Sequence, residues 1–249
     1  MTVPLTPVQS YWQASRAHRY SLLFALPLLI AYELLAAVLS GPSGGVRNGA
    51  DVLLKALFIR VVGVYGPLLF GVAVIGVSVW LIARDTRSGG RIQPRVFAVM
   101  LAESVVLALL FGVVVGTLTA QLLGSLGSLS ASLSMSPLEE MGWWTRLMLS
   151  LGAGLYEELL FRVLLVSALV WVASAILGPG RLAAAAAAVA GALIFSAFHY
   201  IGPYADALQL QSFTFRFLAG LVFSVLFLAR GFGITAWTHA LYDVFLMVV

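Results

Sequence analysis

Residues 145–177, "TRLMLSLGAGLYEELLFRVLLVSALVWVASAIL", decide the fold class of this chain. The run exceeds the roughly 20 apolar residues with which a helix crosses the hydrocarbon core of a membrane. Within it, "YEELLFR" places Glu157, Glu158 and Arg162 among apolar neighbours. A charge at the bilayer centre costs about 2.5–3.5 kcal/mol on insertion scales, so an ionisable residue there is expected to have a function. The run therefore predicts both a membrane span and a functional site inside it.

Composition extends this prediction to the whole chain. Of its 249 residues, 61% are hydrophobic and 10% are charged, and the mean hydropathy is +1.04. Soluble domains carry about a quarter charged residues, so a soluble globular domain is excluded. The chain has no cysteine, which excludes disulfides, thiolate nucleophiles and cysteine-ligated metals. The net charge of +4 comes from basic residues at the ends of apolar runs, so no nucleic-acid partner is expected.

The predicted fold is all-α, a polytopic transmembrane helical bundle of about seven spans, with six to eight as the range. Residues 1–19 mix aromatic residues with arginine and predict an interfacial helix, and residues 20–249 form a single transmembrane domain. Segment 51–61 is predicted to be amphipathic at the interface. The apolar runs are residues 20–40, 62–83, 97–123, 145–177, 182–201, 213–229 and 234–249.

Arginine placement predicts the orientation in the membrane. Basic residues precede the first run and fill the loop after the second, whereas segment 124–144 has none. The positive-inside rule then places the N-terminus in the cytoplasm, although loop 41–61 carries three basic residues on the opposite side. An integral protein of a prokaryotic cell membrane is the expected localisation, the source being suggested by the arginine-rich and alanine-rich composition.

Helical spacing separates the charged residues into two roles. Glu158 and Arg162 are four residues apart and can pair on one face of a helix. Glu157 points about 100° away from Glu158 on an α-helix. Arg162 is therefore predicted to hold Glu158 as a structural partner, which leaves Glu157 as a candidate general base. Glu33 and Glu103 are interpreted as structural, as partners of polar side chains or of Arg162.

Two further runs carry histidine. His239 and Asp243 are four residues apart on the last run, so the aspartate can orient the imidazole ring. His199 lies on a third run. Glu157, His199 and His239 could converge on one water molecule, with the carboxylate taking its proton and an imidazole stabilising an oxyanion. The same three side chains could instead ligate zinc.

The depths of the two histidines test this convergence. At about 1.5 Å per residue, His239 lies about 13 Å along its helix from Arg230, and His199 about 27 Å from Arg181. If both arginines mark one membrane face, the histidines meet only if a helix tilts or the joint near Arg230 is sunk into the protein.

The charged run also carries a motif. "EELLFR" fits the pattern EExxxR through Glu157, Glu158 and Arg162, and "FSAFH" fits FxxxH through Phe195 and His199.

Two more motifs follow in the same order, "FLAG" at 217–220 and "HALYD" with His239 and Asp243. Together these motifs, within residues 140–249, resemble the CPBP family of intramembrane proteases, of the CAAX-processing and bacteriocin-processing type.

The resemblance implies a role for each matched residue. Glu157 would activate water beside His199, with Glu158, Arg162 and Phe195 in support. His239 and residue 243 would stabilise the oxyanion. Many family members have Asn at that last position, and an anionic Asp243 cannot donate a hydrogen bond, so it is either protonated or only orients His239. The family is described both as metalloproteases and as glutamate-dependent proteases, so no cofactor is assigned and zinc stays an option.

The predicted function is an intramembrane endopeptidase acting on a membrane-associated protein or peptide in contact with the lipid bilayer. A CAAX-like tail, a leader peptide and a C-terminal sorting tag are all compatible substrates. Two alternatives belong to other classes: a proton-coupled membrane transporter that uses these charges as a relay, and a catalytically silent immunity or scaffold membrane protein. A transporter would favour inverted repeats, and the sequence shows none.

Overall fold

The computed structural model describes residues 7–39, 45–89, 92–123, 141–202 and 205–248. These residues are helical apart from short joints and contain no strand, which confirms the all-α prediction. The helices are α1 Pro7–Arg16, α2 His18–Leu39, α3 Gly49–Val62, α4 Gly66–Gly89, α5 Pro94–Leu123, α6 Trp143–Leu177, α7 Arg181–Phe198, α8 Leu210–Arg230 and α9 Phe232–Val248.

Six of the described helical segments are long and apolar enough to cross a membrane: α2, α3 together with α4, α5, α6, α7 and α8. Many of their large apolar side chains point outward, and Val38, Val61 and Val64 are 81%, 83% and 84% exposed. An apolar surface of this kind requires lipid rather than water around it. The chain is therefore an integral membrane protein. The joint 124–137 between the third and fourth predicted spans lies outside the described residues.

Helix α9, the seventh predicted span, is 17 residues long and lies in the middle of the bundle. It packs against α2, α5 and α6. Its close approach to α6 depends on Gly154, where a Cβ atom would lie 2.4 Å from the Ala236 carbonyl oxygen and 2.6 Å from the Ala240 Cβ. Small residues of this kind allow membrane helices to pack backbone against backbone. As a result, α6 and α9 share one interior.

Helix α3 differs from the amphipathic interfacial segment predicted for residues 51–61. Its first turn is enclosed by protein, with Ala50 and Asp51 both 0% exposed. Asn48 caps this end, because its Oδ1 atom accepts from the Ala50 N–H at 2.9 Å. At the other end Gly63, with φ +70°, ends the helix before the chain turns into α4. The capped end of α3 therefore lies inside the bundle, where Asp51 has buried partners.

The joint between α8 and α9 is also enclosed. Arg230, at the end of α8, is 3% exposed and stacks on the indole ring of Trp12 in α1, at 3.9 Å. Gly231, with φ +80°, reverses the chain, and the Gly233 N–H donates to the Ser21 hydroxyl at 2.7 Å. Arg230 therefore does not mark the surface of the protein, because α1 and α2 cover this joint. The joint near Arg230 is thus sunk into the protein, which is one of the two conditions under which His199 and His239 could meet.

Candidate active site

The middle of α6, Ala153–Val166, winds as a π-helix and carries both central glutamates. A π-helix forms hydrogen bonds over five residues, and such turns are frequent at functional sites. Its wider turn brings the directions of Glu157 and Glu158 closer together than the roughly 100° expected on an α-helix. Both are buried, at 8% and 0% exposure. The two carboxylates therefore belong to one polar interior rather than to two separate faces.

The Glu158 carboxylate contacts both the guanidinium of Arg162 and the imidazole of His239. Its Oε1 atom lies 3.1 Å from Arg162 Nη1, which is the pair that the four-residue spacing predicts. The same oxygen lies 2.7 Å from His239 Nδ1 on α9, a contact that sequence spacing gave no means of predicting. Glu158 therefore connects α6 to α9 and orients the His239 ring.

Arg162 is 1% exposed and is held by more than its carboxylate partner. Its Nη2 atom donates to the Gly220 carbonyl at 3.3 Å. Its guanidinium lies 4.4 Å from the ring centre of Phe195 and 5.3 Å from that of Phe223. A Cβ atom at Gly220 would come within 2.9 Å of the Phe195 ring. Gly220 of the weak "FLAG" motif thus gives Arg162 a carbonyl acceptor, and its lack of a side chain allows α8 to pack closely against α7.

Glu157 has one anchored oxygen and one free oxygen. Its Oε1 atom accepts from Asn48 Nδ2 at 2.8 Å. Its Oε2 atom is buried and has no hydrogen-bond partner among the described residues. His199 and His239 both lie close enough to interact electrostatically with this carboxylate. The arrangement suits a base whose second oxygen is available to a small polar molecule.

The two histidines lie on either side of one phenyl ring. The Phe195 ring centre is 4.9 Å from that of His199 and 6.5 Å from that of His239. His199 Nδ1 donates to the Phe195 carbonyl at 2.9 Å, which leaves its Nε2 atom as an acceptor. The His239 ring also stacks on Phe223, with centres 4.3 Å apart. The structure therefore brings His199 and His239 together with Glu157.

Asp243 faces the other nitrogen of His239. The distance from His239 Nε2 to Asp243 Oδ2 is 3.7 Å, longer than a hydrogen bond. His239 thus has Glu158 at one ring nitrogen and Asp243 near the other. An imidazolium would carry a donor toward each of these carboxylates.

Of the two kinds of partner predicted for Glu33 and Glu103, the structure shows polar side chains and not Arg162: the Tyr156 hydroxyl donates to Glu33 at 2.6 Å, and the Tyr11 hydroxyl donates to Glu103. Glu33 lies 3.1 Å from Lys55 Nζ, and Glu103 lies 2.6 Å from Arg230 Nε. Each carboxylate pairs with a cation on a neighbouring segment, whereas Arg162 is enclosed by Glu158 and aromatic rings.

Asn48 and Phe223 are the site residues that sequence reasoning missed. The only signal for Asn48 was its position as a capping residue before "GAD", which says nothing of a glutamate 109 residues away. Phe223 lies three residues beyond "FLAG" and is indistinguishable by sequence from a lipid-facing phenylalanine.

A zinc ion fits this arrangement poorly. The described residues contain no group of three His, Asp or Glu side chains placed to hold a metal. His239 directs both ring nitrogens at carboxylates, and His199 uses Nδ1 on a carbonyl. The option of zinc on Glu157, His199 and His239 therefore requires these side chains to move.

A comparison with known protein families gave a match that includes the motif residues of this site. Residues 139–245 match the family model described as type II CAAX prenyl endopeptidase Rce1-like. This region is similar to the Rce1-like family. The match covers less than half of the chain and contains all four motifs, and it confirms the resemblance to CPBP proteases. The chain matches no curated protein and no solved structure. Its Rce1-like region supports a protease of the CAAX type that works within the membrane.

Proposed function

We propose that this protein hydrolyses a peptide bond of a membrane-associated protein or peptide, with water activated by Glu157. The observation that carries the proposal is the state of that carboxylate, which is buried beside two histidines with Oε1 anchored and Oε2 unpartnered. A base needs an oxygen within hydrogen-bond reach of the proton that it takes.

Each residue has a step in the reaction. Glu157 accepts a proton from water as the water oxygen attacks the carbonyl carbon of the substrate, and His199 Nε2 accepts the other water proton as a hydrogen bond. His239, oriented by Glu158, donates from Nε2 to the oxyanion. When the tetrahedral intermediate collapses, the C–N bond breaks and Glu157 gives its proton to the leaving amine. Asp243, at 3.7 Å, is too far from Nε2 to hold that proton in a hydrogen bond.

The family description and the site's membrane setting support a choice of substrate class. Because the Rce1-like model is described by CAAX prenyl substrates, a CAAX-like tail is the first candidate for this chain. A leader peptide and a C-terminal sorting tag are the other candidates, and each presents a cleavable segment next to the membrane.

The experiment compares cleavage of tagged versions of all three substrates by purified protein in vesicles. The wild-type protein is expected to cut at least one of these substrates, and Glu157→Gln is expected to cut none of them at a measurable rate. A metal chelator is expected to leave the wild-type cleavage rate unchanged. Cleavage at the wild-type rate by Glu157→Gln would contradict the proposed base. Loss of cleavage on chelation, with recovery on added zinc, would establish the metal version instead. Proton flux without cleavage would favour the transporter.

Orientation and source remain predictions. Because the chain has no cysteine, single cysteines introduced at the exposed positions Ser10, before α2, and Gly45, before α3, can be labelled from one side of the membrane. A cytoplasmic N-terminus predicts that only the first is labelled from the cytoplasm.

A further inference from the structure

Asn48 links the N-terminal half of the chain to the candidate base. It is the only asparagine in the sequence and lies outside the Rce1-like region. Its Nδ2 atom donates to Glu157 Oε1 at 2.8 Å, and its Oδ1 atom accepts from the Ala50 N–H at 2.9 Å. Only the amide nitrogen can donate to a carboxylate and only the amide oxygen can accept from an N–H. The two partners therefore fix the orientation of the Asn48 amide.

A buried polar group holds Asn48 in place. Its backbone N–H donates to the Tyr32 hydroxyl at 3.3 Å, and that hydroxyl donates to Asp51 Oδ2 at 2.9 Å. Asp51 is 0% exposed and pairs with Lys55 at 2.6 Å and Arg47 at 3.0 Å. Asn48 is therefore supported by a connected set of hydrogen bonds and ion pairs.

Helix α6 makes room for this contact at Gly152, five residues before Glu157. A Cβ atom at position 152 would lie 2.9 Å from the Asn48 Cβ and 2.5 Å from the Tyr32 ring. Distances below about 3 Å require a shift of backbone or ring, so a side chain at this position would separate Asn48 from α6.

We propose that Asn48 is a positioning residue for Glu157, holding Oε1 so that Oε2 is the oxygen that takes the proton of water. This inference rests on the proposed role of Glu157 as the base. The terminal torsion of a glutamate is broad, so a single fixed donor narrows the orientations of the carboxylate. A displacement of about 1 Å at a reacting group can cost about 10²-fold in rate.

The first test separates positioning from helix capping. Ser caps a helix about as well as Asn, but its short side chain cannot cap α3 and also reach Glu157. Asn48→Ser is expected to keep the α3 cap and the wild-type KM, to lower Tm only slightly through the lost hydrogen bond, and to lose about 10–100-fold in kcat, the usual range for supporting residues of a site. Asn48→Asp also caps α3, but it places a second carboxylate against that of Glu157. The loss in kcat should therefore be larger than for Asn48→Ser. Wild-type kcat in both variants would show that Asn48 is only a cap.

The same assay distinguishes failure of this inference from failure of the proposed function. If wild type cuts no substrate, or if Glu157→Gln cuts as fast as wild type, the proposed function fails. If Glu157→Gln is inactive and Asn48→Ser has the wild-type kcat, only the positioning role fails.

A second test does not depend on activity. Because Asn48 is the only asparagine, ¹⁵N-asparagine labelling gives one pair of side-chain amide signals in an NMR spectrum. That pair is expected to shift in Glu157→Ala and to stay in place in Glu103→Ala, whose carboxylate pairs with Arg230. An unchanged pair in Glu157→Ala would overturn the contact itself.

Discussion

Two glutamate–arginine pairs with a buried guanidinium differ in how the carboxylate is used. Glu103 places each oxygen on a different nitrogen of Arg230, at 2.6 and 2.7 Å, and Tyr11 adds a further donor. Glu158 instead presents one oxygen to both Arg162 and an imidazole, and its Oε2 atom has no hydrogen-bond partner among the described residues. The first pair is the two-pronged contact typical of a stable arginine–carboxylate bridge.

Burial of the guanidinium is therefore not what distinguishes the candidate site. Arg162 and Arg230 are 1% and 3% exposed, and both guanidiniums pack on aromatic rings. The site differs because its carboxylates keep unpartnered oxygens in a shared interior, where Glu157 lies beside the Glu158 pair. Four sets of variants test this difference.

The largest effect is expected at Glu157. Glu157→Gln keeps the shape of the side chain and an oxygen for Asn48, but removes the base, so the cleavage rate should fall about 10²–10⁴-fold with little change in Tm. Glu103→Gln is the matched control on the structural pair. Glu103→Gln should lower Tm and leave the cleavage rate per folded molecule unchanged. If Glu103→Gln lost cleavage and Glu157→Gln lost only stability, Glu103 would be the functional carboxylate and Glu157 the structural one.

Removal of Arg162 should be the most destabilising single change. Arg162→Met leaves Glu158 buried without its cation, for which about 3–5 kcal/mol of unfolding free energy is expected to be lost. The double variant Arg162→Met/Glu158→Gln should recover part of that loss. Arg230→Met should cost less because the Glu103 side chain is 24% exposed. Equilibrium unfolding in mixed micelles measures all three.

Gly220→Ala should have an intermediate effect on stability. The added Cβ atom would meet the Phe195 ring at 2.9 Å and the Ala192 Cα at 3.1 Å, so a loss of about 1–3 kcal/mol is expected. Gly76→Ala is the control, since nothing lies within 4 Å of that Cβ position. Equal unfolding free energies for the two variants would show that α8 can move away from α7.

Asp243→Asn should have the smallest effect. At 3.7 Å the carboxylate makes no hydrogen bond to His239, so a change in cleavage rate of about tenfold or less is expected, against about 10²-fold for Glu158→Gln. A loss at Asp243→Asn as large as at Glu158→Gln would mean that Asp243 holds His239 in the reacting state.

Hydropathy and motif spacing predicted the helices and the motif residues that meet at the site, because apolar runs and motif spacings are properties of local sequence. They could not predict the π-helical turn that carries Glu157 and Glu158, since apolar periodicity does not reveal a shifted hydrogen-bond pattern. Nor could they pair Asn48 with Glu157 or Glu103 with Arg230. Those partners are separated by 109 and 127 residues, and only tertiary packing brings them together.

The enclosed start of α9 has a consequence for the surrounding lipid. Arg230 is 3% exposed and the joint before α9 is covered by α1 and α2, so the helix that carries His239 begins inside protein. A polar helix end that lies below the membrane surface can be covered by neighbouring protein instead of by local thinning of the bilayer. Under the proposed function, a scissile bond would therefore have to leave the lipid to reach His239, and acyl-chain length becomes a variable in how fast it arrives.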